Sequence, residues 1–273
     1  MERPDASAAA VARRAVRPGV VVAAANSNVV AAANSVVAAA NSNVDAFTAR
    51  RLFDELYAPW PADFGRCMSR AERQRRGFGG ASLSYSEVGF DDISNLFKIL
   101  YQHGLAPAGG VFLDVGSGVG RCAFAAALFC DFNRCIGFEI LQDLQAFARE
   151  SVLPRWLAVT APQLEDPKRG TDFIFECGDA SKLPWGDASV VFMNSTTFDA
   201  KLMAALAEKA EGLSPETPVV TFTRQLPSAK FSAVHSYVIT QQWGDCRVFI
   251  QKRIAEYDRP ATGSEIEDGS GSG

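Results

Sequence analysis

Two hydrophobic rhythms alternate along the chain. From about Val111 to Ile254, short apolar runs of strand length are separated by longer stretches at helical spacing. The runs Val111 to Asp114, Arg134 to Glu139, Phe173 to Asp179 and Val190 to Ser195 predict four strands, each ending in an acidic or polar residue. Val219–Thr223, Ser236–Trp243 and Cys246–Arg253 predict three more, the last two joined by a tight turn at Gly244-Asp245. Leu141 to Pro167 is expected to be helical and broken at Pro154 and Pro162, and Asp199 to Gly212 is expected to be the helix after the fourth strand. Strand and helix in alternation imply an α/β fold: a doubly wound, Rossmann-like seven-stranded sheet, mostly parallel, with a C-terminal antiparallel hairpin.

Upstream the rhythm is purely helical. Phe47, Leu52, Phe53, Leu56 and Tyr57 share one helix face, which Pro59 ends. Asp91 or Asp92 is expected to cap a second helix with Ile93, Leu96, Phe97, Ile99 and Leu100 on its apolar side. Before residue 45 the pattern dissolves into repeats of V-V-A-A-A-N-S, too short for a solenoid unit. These divisions predict a disordered tail at 1–44, a helical extension with a cofactor loop at 45–104, a catalytic domain at 105–257 and a flexible tail at 258–273. Arg13, Arg14 and Arg17 before an Ala/Ser-rich stretch would suit a transit peptide, but Glu2 and Asp5 count against one.

Composition narrows the chemistry. The 273 residues carry a formal charge of −4, so the chain as a whole is not a polyanion binder, and no sequence-specific nucleic-acid motif is evident. Its basic concentration is local: Arg66, Arg70, Arg73, Arg75 and Arg76 surround one acid, Glu72. That stretch is either a solvated helix face or a contact for an acidic partner. Six cysteines without a C-x-x-C pair imply neither zinc nor a disulfide framework. The two histidines, His103 and His235, lack a nucleophile at a telling spacing, which disfavours a hydrolase triad. No apolar run reaches the ~18 residues that a bilayer span requires.

The most informative stretch is Val111–Arg121, V-F-L-D-V-G-S-G-V-G-R. A glycine-rich turn after a buried strand lets main chain approach a ligand closely. A dinucleotide fingerprint would place its third glycine at position 121, which is arginine, and no Gly-Lys-Ser/Thr follows for a P-loop. What remains is D-x-G-x-G-x-G, the pattern of a methyltransferase that binds S-adenosylmethionine. Glu139 can accept hydrogen bonds from both ribose hydroxyls, the Gly178-Asp179 pair suits an adenine amino group, and Asn194 puts an amide at the fourth strand end.

With S-Y-S-E-V-G-F upstream and V-F-M-N-S-T-T-F downstream, the sequence resembles the disruptor-of-telomeric-silencing class of histone-lysine methyltransferases, which use this class I fold rather than a SET domain. The resemblance covers about Tyr85 to Arg253. It implies that Tyr85 and Glu87 belong to the loop over the methionine end of the cofactor, with Ser86 replacing a glycine. It places Asp114, Gly116, Ser117, Gly118, Gly120, Glu139 and Asp179 on the cofactor. Asn194 and Phe198 match the family's Asn-Asn-Phe-x-Phe, while Ser195 and Thr196 depart from it, and Ala180 stands where the family has phenylalanine. Trp243 resembles a tryptophan in the family's last hairpin. Asn194, Phe198 and Tyr85 are thus the candidate catalytic residues, and no metal is expected. The implied partner is histone H3 in nucleosomes and the implied location the nucleus. A methyltransferase acting on a small molecule or non-histone protein, or a cofactor-binding module without turnover, are the alternatives.

Overall fold

Val111–Val115 (β1) is buried along its whole length, as a strand covered on both faces must be. It lies at the centre of a seven-stranded sheet in the order β3-β2-β1-β4-β5-β7-β6. Arg134–Glu139 (β2), Asp172–Cys177 (β3), Val190–Met193 (β4) and Pro218–Phe222 (β5) run parallel to β1 through their neighbours. Gly244–Arg253 (β7) then pairs antiparallel with both β5 and Phe231–Gln241 (β6). This is the doubly wound, mostly parallel sheet with an antiparallel C-terminal end that the sequence pattern implies. The computed structural model describes residues 44–80, 83–241 and 244–255, so the repeat region, the C-terminal tail and Trp243 lie outside the described residues.

Alternate residues of β1 feed two cores. Phe112 packs on the side that holds Ala46–Tyr57 (α1), Phe90–Gln102 (α3) and Arg121–Phe129 (α4). Leu113 and Val115 pack on the side that holds Trp185 and Ala200–Ala210 (α7). The helices upstream of residue 104 bury Leu52, Phe53, Leu56, Ile93 and Phe97 in the same core as the sheet face, so they are clasped to the domain. Phe64–Arg76 (α2) ends at Gly77, whose left-handed backbone (φ 64°) closes the helix while Phe78 N–H reaches back to the Arg73 carbonyl.

Four local expectations are corrected. The start of α3 is capped by Gly89 without a side-chain bond, because Asp91 pairs with Arg50 and Asp92 accepts from Gln241. Neither proline breaks the helix after β2. Gln142–Phe147 (α5) continues through π-helical turns at Ala148–Val152 and Trp156–Thr160 that flank Leu153–Arg155 (α6), so the wider turns absorb Pro154, and Pro162 falls in a terminal 3-10 turn. Gly244 and Asp245 are not the hairpin turn but the first residues of β7, opposite Gln241 and Thr240. β6 also begins at Phe231, five residues before the sequence pattern suggested.

Candidate active site

Strand register assembles the site before any side chain is considered. Val115 sits beside Phe138 in β2 and Met193 in β4, so the next residues, Gly116, Glu139 and Asn194, emerge side by side at one edge. Glu139 in turn lies beside Cys177, which brings Gly178 and Asp179 alongside. Connections from β1 and β4 leave in opposite directions along the sheet, and this divergence opens a crevice at the carboxyl ends of the strands.

The loop leaving β1 is held by its own main chain. Gly116 and Ser117 donate to the Phe138 carbonyl at 2.8 and 3.0 Å, and Gly120 donates to the Ser117 carbonyl at 2.8 Å. Gly116, Gly118 and Gly120 all adopt left-handed backbone (φ 80°, 55° and 83°), which accounts for their alternate spacing. Glu139 locks this loop to β2: its Oε2 accepts from Gly118 N–H at 2.8 Å and its Oε1 from Leu141 N–H at 2.9 Å. Burial raises the Glu139 carboxyl above its ordinary range, opposed by those backbone donors.

A cavity of about 120 Å³ lies on this edge. It is lined by Gly116, Glu139, Asp179, Asn194 and Phe198, with Tyr85 and Ser86 closing one side and Phe138, Ile140, Leu144 and Ala180 forming apolar walls. Asp179 is held by Ser181, whose N–H and hydroxyl both donate to Oδ1 (3.0 and 2.7 Å), and these bonds keep its carboxyl below the usual range. Asn194 Nδ2 donates to the Ser86 carbonyl at 2.9 Å and its Oδ1 accepts from the Thr196 hydroxyl, so it ties the upstream loop to the end of β4. Ser195, a departure from the family pattern, both donates to and accepts from the Phe222 backbone, which pins this turn to β5.

The remaining expected residues lie outside the lining of the cavity. Asp114 is 2% exposed, with Oδ2 lacking a partner among the described residues. Burial, and after it the Glu139 carboxylate, push its carboxyl up to about 8. Ser117 is buried with no partner for its hydroxyl among the described residues. Glu87 accepts from the Tyr85 hydroxyl at 2.6 Å and pairs with Arg121 Nε at 3.4 Å. Arg121 in turn stacks on Tyr57 and Phe53, 4.3 and 5.1 Å from their centroids. Burial and the adjacent Glu87 carboxylate hold the Tyr85 hydroxyl well above its ordinary pKa, so it stays a donor.

Sequence reasoning missed Gly65 and Arg121. Gly65 in α2 leaves room for the Tyr85 hydroxyl, and a side chain there would collide with it. Only the place of Arg121, one past the third glycine, marked it in the sequence.

A family model for the histone methylation protein DOT1 matches residues 71–241 of this chain, more than half of it. The chain belongs to the DOT1 family. The match runs from α2 through β6 and so takes in every element that lines the cavity. Among curated proteins, the H3 lysine-79 specific histone-lysine N-methyltransferase of Eremothecium gossypii is 26% identical over 148 residues, which are 53% of this chain and 26% of that protein. The chain therefore spans about a quarter of the length of that DOT1-type relative. Similar solved structures include an RNA methyltransferase from Salinibacter ruber in complex with S-adenosyl-L-homocysteine, with 22% identity, 66% of this chain and all of that one covered, and a TM-score of 0.47. A magnesium protoporphyrin IX methyltransferase from Synechocystis with bound S-adenosylmethionine has 13% identity, 76% and 91% coverage, and a TM-score of 0.44.

The cofactor of the DOT1 family is S-adenosylmethionine, and the residues on this edge suit it. Glu139 lines the cavity with a carboxylate of the kind that accepts from ribose hydroxyls, and a Cβ on Gly116 would meet only Phe198, at 3.5 Å, so main chain is open to the cavity there. Ile140, Leu144 and Ala180 supply a flat apolar slot.

Proposed function

We propose that this protein is a protein-lysine N-methyltransferase whose acceptor is a lysine of histone H3 in nucleosomes, and that it works in the nucleus. The family match across the whole cofactor edge carries this reading, supported by the H3 lysine-79 specificity of the curated relative. In this reading residues 45–104 form a helical extension that supplies the cofactor loop, and 105–257 form the catalytic unit.

Bound S-adenosylmethionine supplies an electrophilic methyl group on a sulfonium, and transfer is an in-line displacement. The protein's task is then alignment and delivery of a neutral amine. Glu139 and Asp179 would hold the adenosine end, and Gly116 would let main chain lie against it. Phe198, Leu202 and Leu206 add apolar surface to the cavity. An ammonium entering such a wall is desolvated, which lowers its pKa and favours the free amine. Asn194 donates to Ser86 and accepts from Thr196, and in this reading it positions the Tyr85 loop.

A methyltransferase with another acceptor is the second reading, favoured by Thr196, which places a hydroxyl where the family has an aromatic side chain. Labelled cofactor offered with nucleosomes, free histones and cell extract separates the two. Label on nucleosomal H3 is the expected result, and label confined to another protein or to a small molecule would overturn it.

A further inference from the structure

Helix α2 sorts its arginines. Arg76 pairs with Glu72 at 2.7 Å and Arg75 with Asp143 at 2.8 Å. Arg66, Arg70 and Arg73, at i, i+4 and i+7, have no ion pair among the described residues. They line a groove of about 720 Å³ whose other walls are Ser84, Tyr85, Ser86, Thr196 and Thr197. One acid, Asp63, lies on its rim, with Oδ2 3.7 Å from the Cys67 sulfur. Like charges at these helical spacings repel, so the stripe is unfavourable to an isolated helix. Arg73 Nε is moreover buried with no acceptor among the described residues, a state that protein interiors rarely leave uncompensated. Ser84, Tyr85 and Ser86 line both this groove and the cofactor cavity, so the two share a wall.

We propose that this groove receives an oxyanion, a carboxylate or phosphate, carried by the methyl-accepting polypeptide next to its target side chain. Guanidinium groups match such planar or tetrahedral oxyanions with paired N–H donors. A polypeptide suits the site better than a nucleic acid, because the chain carries a net −4 and the unpaired cations sit in one local recess rather than along an extended stripe. The inference rests on the reading of the protein as a polypeptide methyltransferase, and goes beyond it by assigning the charge beside the acceptor.

The test uses the full chain with fluorescent lysine peptides that differ only in the residue beside the lysine: Asp, phosphoserine or Asn. Anisotropy should show the Asp or phosphoserine peptide binding about tenfold tighter than the Asn peptide, and Arg70→Glu should erase that difference. Whichever of the two anions gains more identifies the source of the oxyanion. Calorimetry with S-adenosylhomocysteine should give unchanged affinity for Arg70→Glu, which shows that the variant folds and keeps the cofactor edge. The proposal is overturned if wild type does not bind the anionic peptides or binds all three equally, or if the preference survives in Arg70→Glu. It is also overturned if Arg70→Glu weakens binding of a DNA duplex while leaving the peptides unaffected. A preference for anionic peptides without methyl transfer would leave the groove standing and remove the lysine reading. Transfer with equal KM on Asp and Asn peptides would do the reverse.

Discussion

The ring of Tyr85 occupies the space that a side chain on Gly118 would need: its Cε2 lies 2.6 Å from the ideal Cβ position. The loop over the cofactor edge and the glycine turn beneath it are thus shaped to each other. The Tyr85 hydroxyl completes the fit by donating to Glu87, which Arg121 holds.

Gly118→Ala should therefore fail twice. A non-glycine residue at φ 55° costs about 1–3 kcal/mol, and the added methyl also pushes Tyr85 off the turn. Urea denaturation should show the loss, with weaker binding of S-adenosylhomocysteine. Adding Tyr85→Ala should recover part of the binding defect; a strictly additive double variant would show that the two residues do not share this space.

Glu139→Gln tests the carboxylate. The amide keeps one acceptor but turns an N–H₂ toward a backbone N–H, at Gly118 or Leu141. Calorimetry should show at least about a tenfold loss of S-adenosylhomocysteine affinity, since hydrogen bonds to a charged group contribute roughly 1.5–3 kcal/mol. Unchanged affinity would remove Glu139 from the cofactor site.

Asp114 makes a pH prediction. Its carboxyl titrates near 8 in the folded protein, against about 3.9 in an unfolded chain. Between those values the folded state keeps a proton that the unfolded state has released. Stability then falls as pH rises, by up to about 1.4 kcal/mol per unit, and levels off above the folded value. Glu139 is shifted in the same direction, so Asp114→Asn should flatten this slope rather than abolish it. Denaturation midpoints of wild type and variant at about pH 5 and pH 8 decide the matter; parallel changes would show that Asp114 is not the titrating group.

Glu72→Ala removes a cap from a helix to which Glu72 does not belong. Its carboxylate is buried at 0% exposure and accepts from the N–H groups of Gln142 and Asp143 at 2.9 and 2.8 Å. The expected cost is about 1–2 kcal/mol for the cap alone, with a smaller loss for Glu72→Gln. A denaturation curve that matches wild type would mean that solvent caps the helix equally well.

Asn194→Ala should free the Ser86 carbonyl and loosen the cofactor loop. We expect a fall in cofactor affinity and in kcat with little change in unfolding free energy, because the side chain is only partly buried. A large stability loss with normal affinity would make Asn194 a structural brace alone.

Strand ends were legible because a parallel register turns separate runs into neighbours: Gly116, Glu139, Asp179 and Asn194 each follow an apolar run and meet on one edge. Which side chains line the cavity was less legible. Asp114 and Glu87 read as ligand contacts; in the structure Asp114 is buried with no partner for Oδ2 among the described residues, and Glu87 pairs with Arg121. Gly65 was invisible because its reason, Tyr85, lies twenty residues away. The prolines misled because a helix can widen locally to π geometry, which a 3.6-residue period does not represent. Gly244-Asp245 carried turn chemistry but was drawn into the ladder opposite Gln241 and Thr240.

The carboxylate of Glu72 makes one mechanical unit of α2 and α5. It sits on one helix and grips the start of the other, the helix that follows Glu139. A shift of α2 therefore cannot leave the start of α5 in place without breaking two hydrogen bonds to a buried carboxylate.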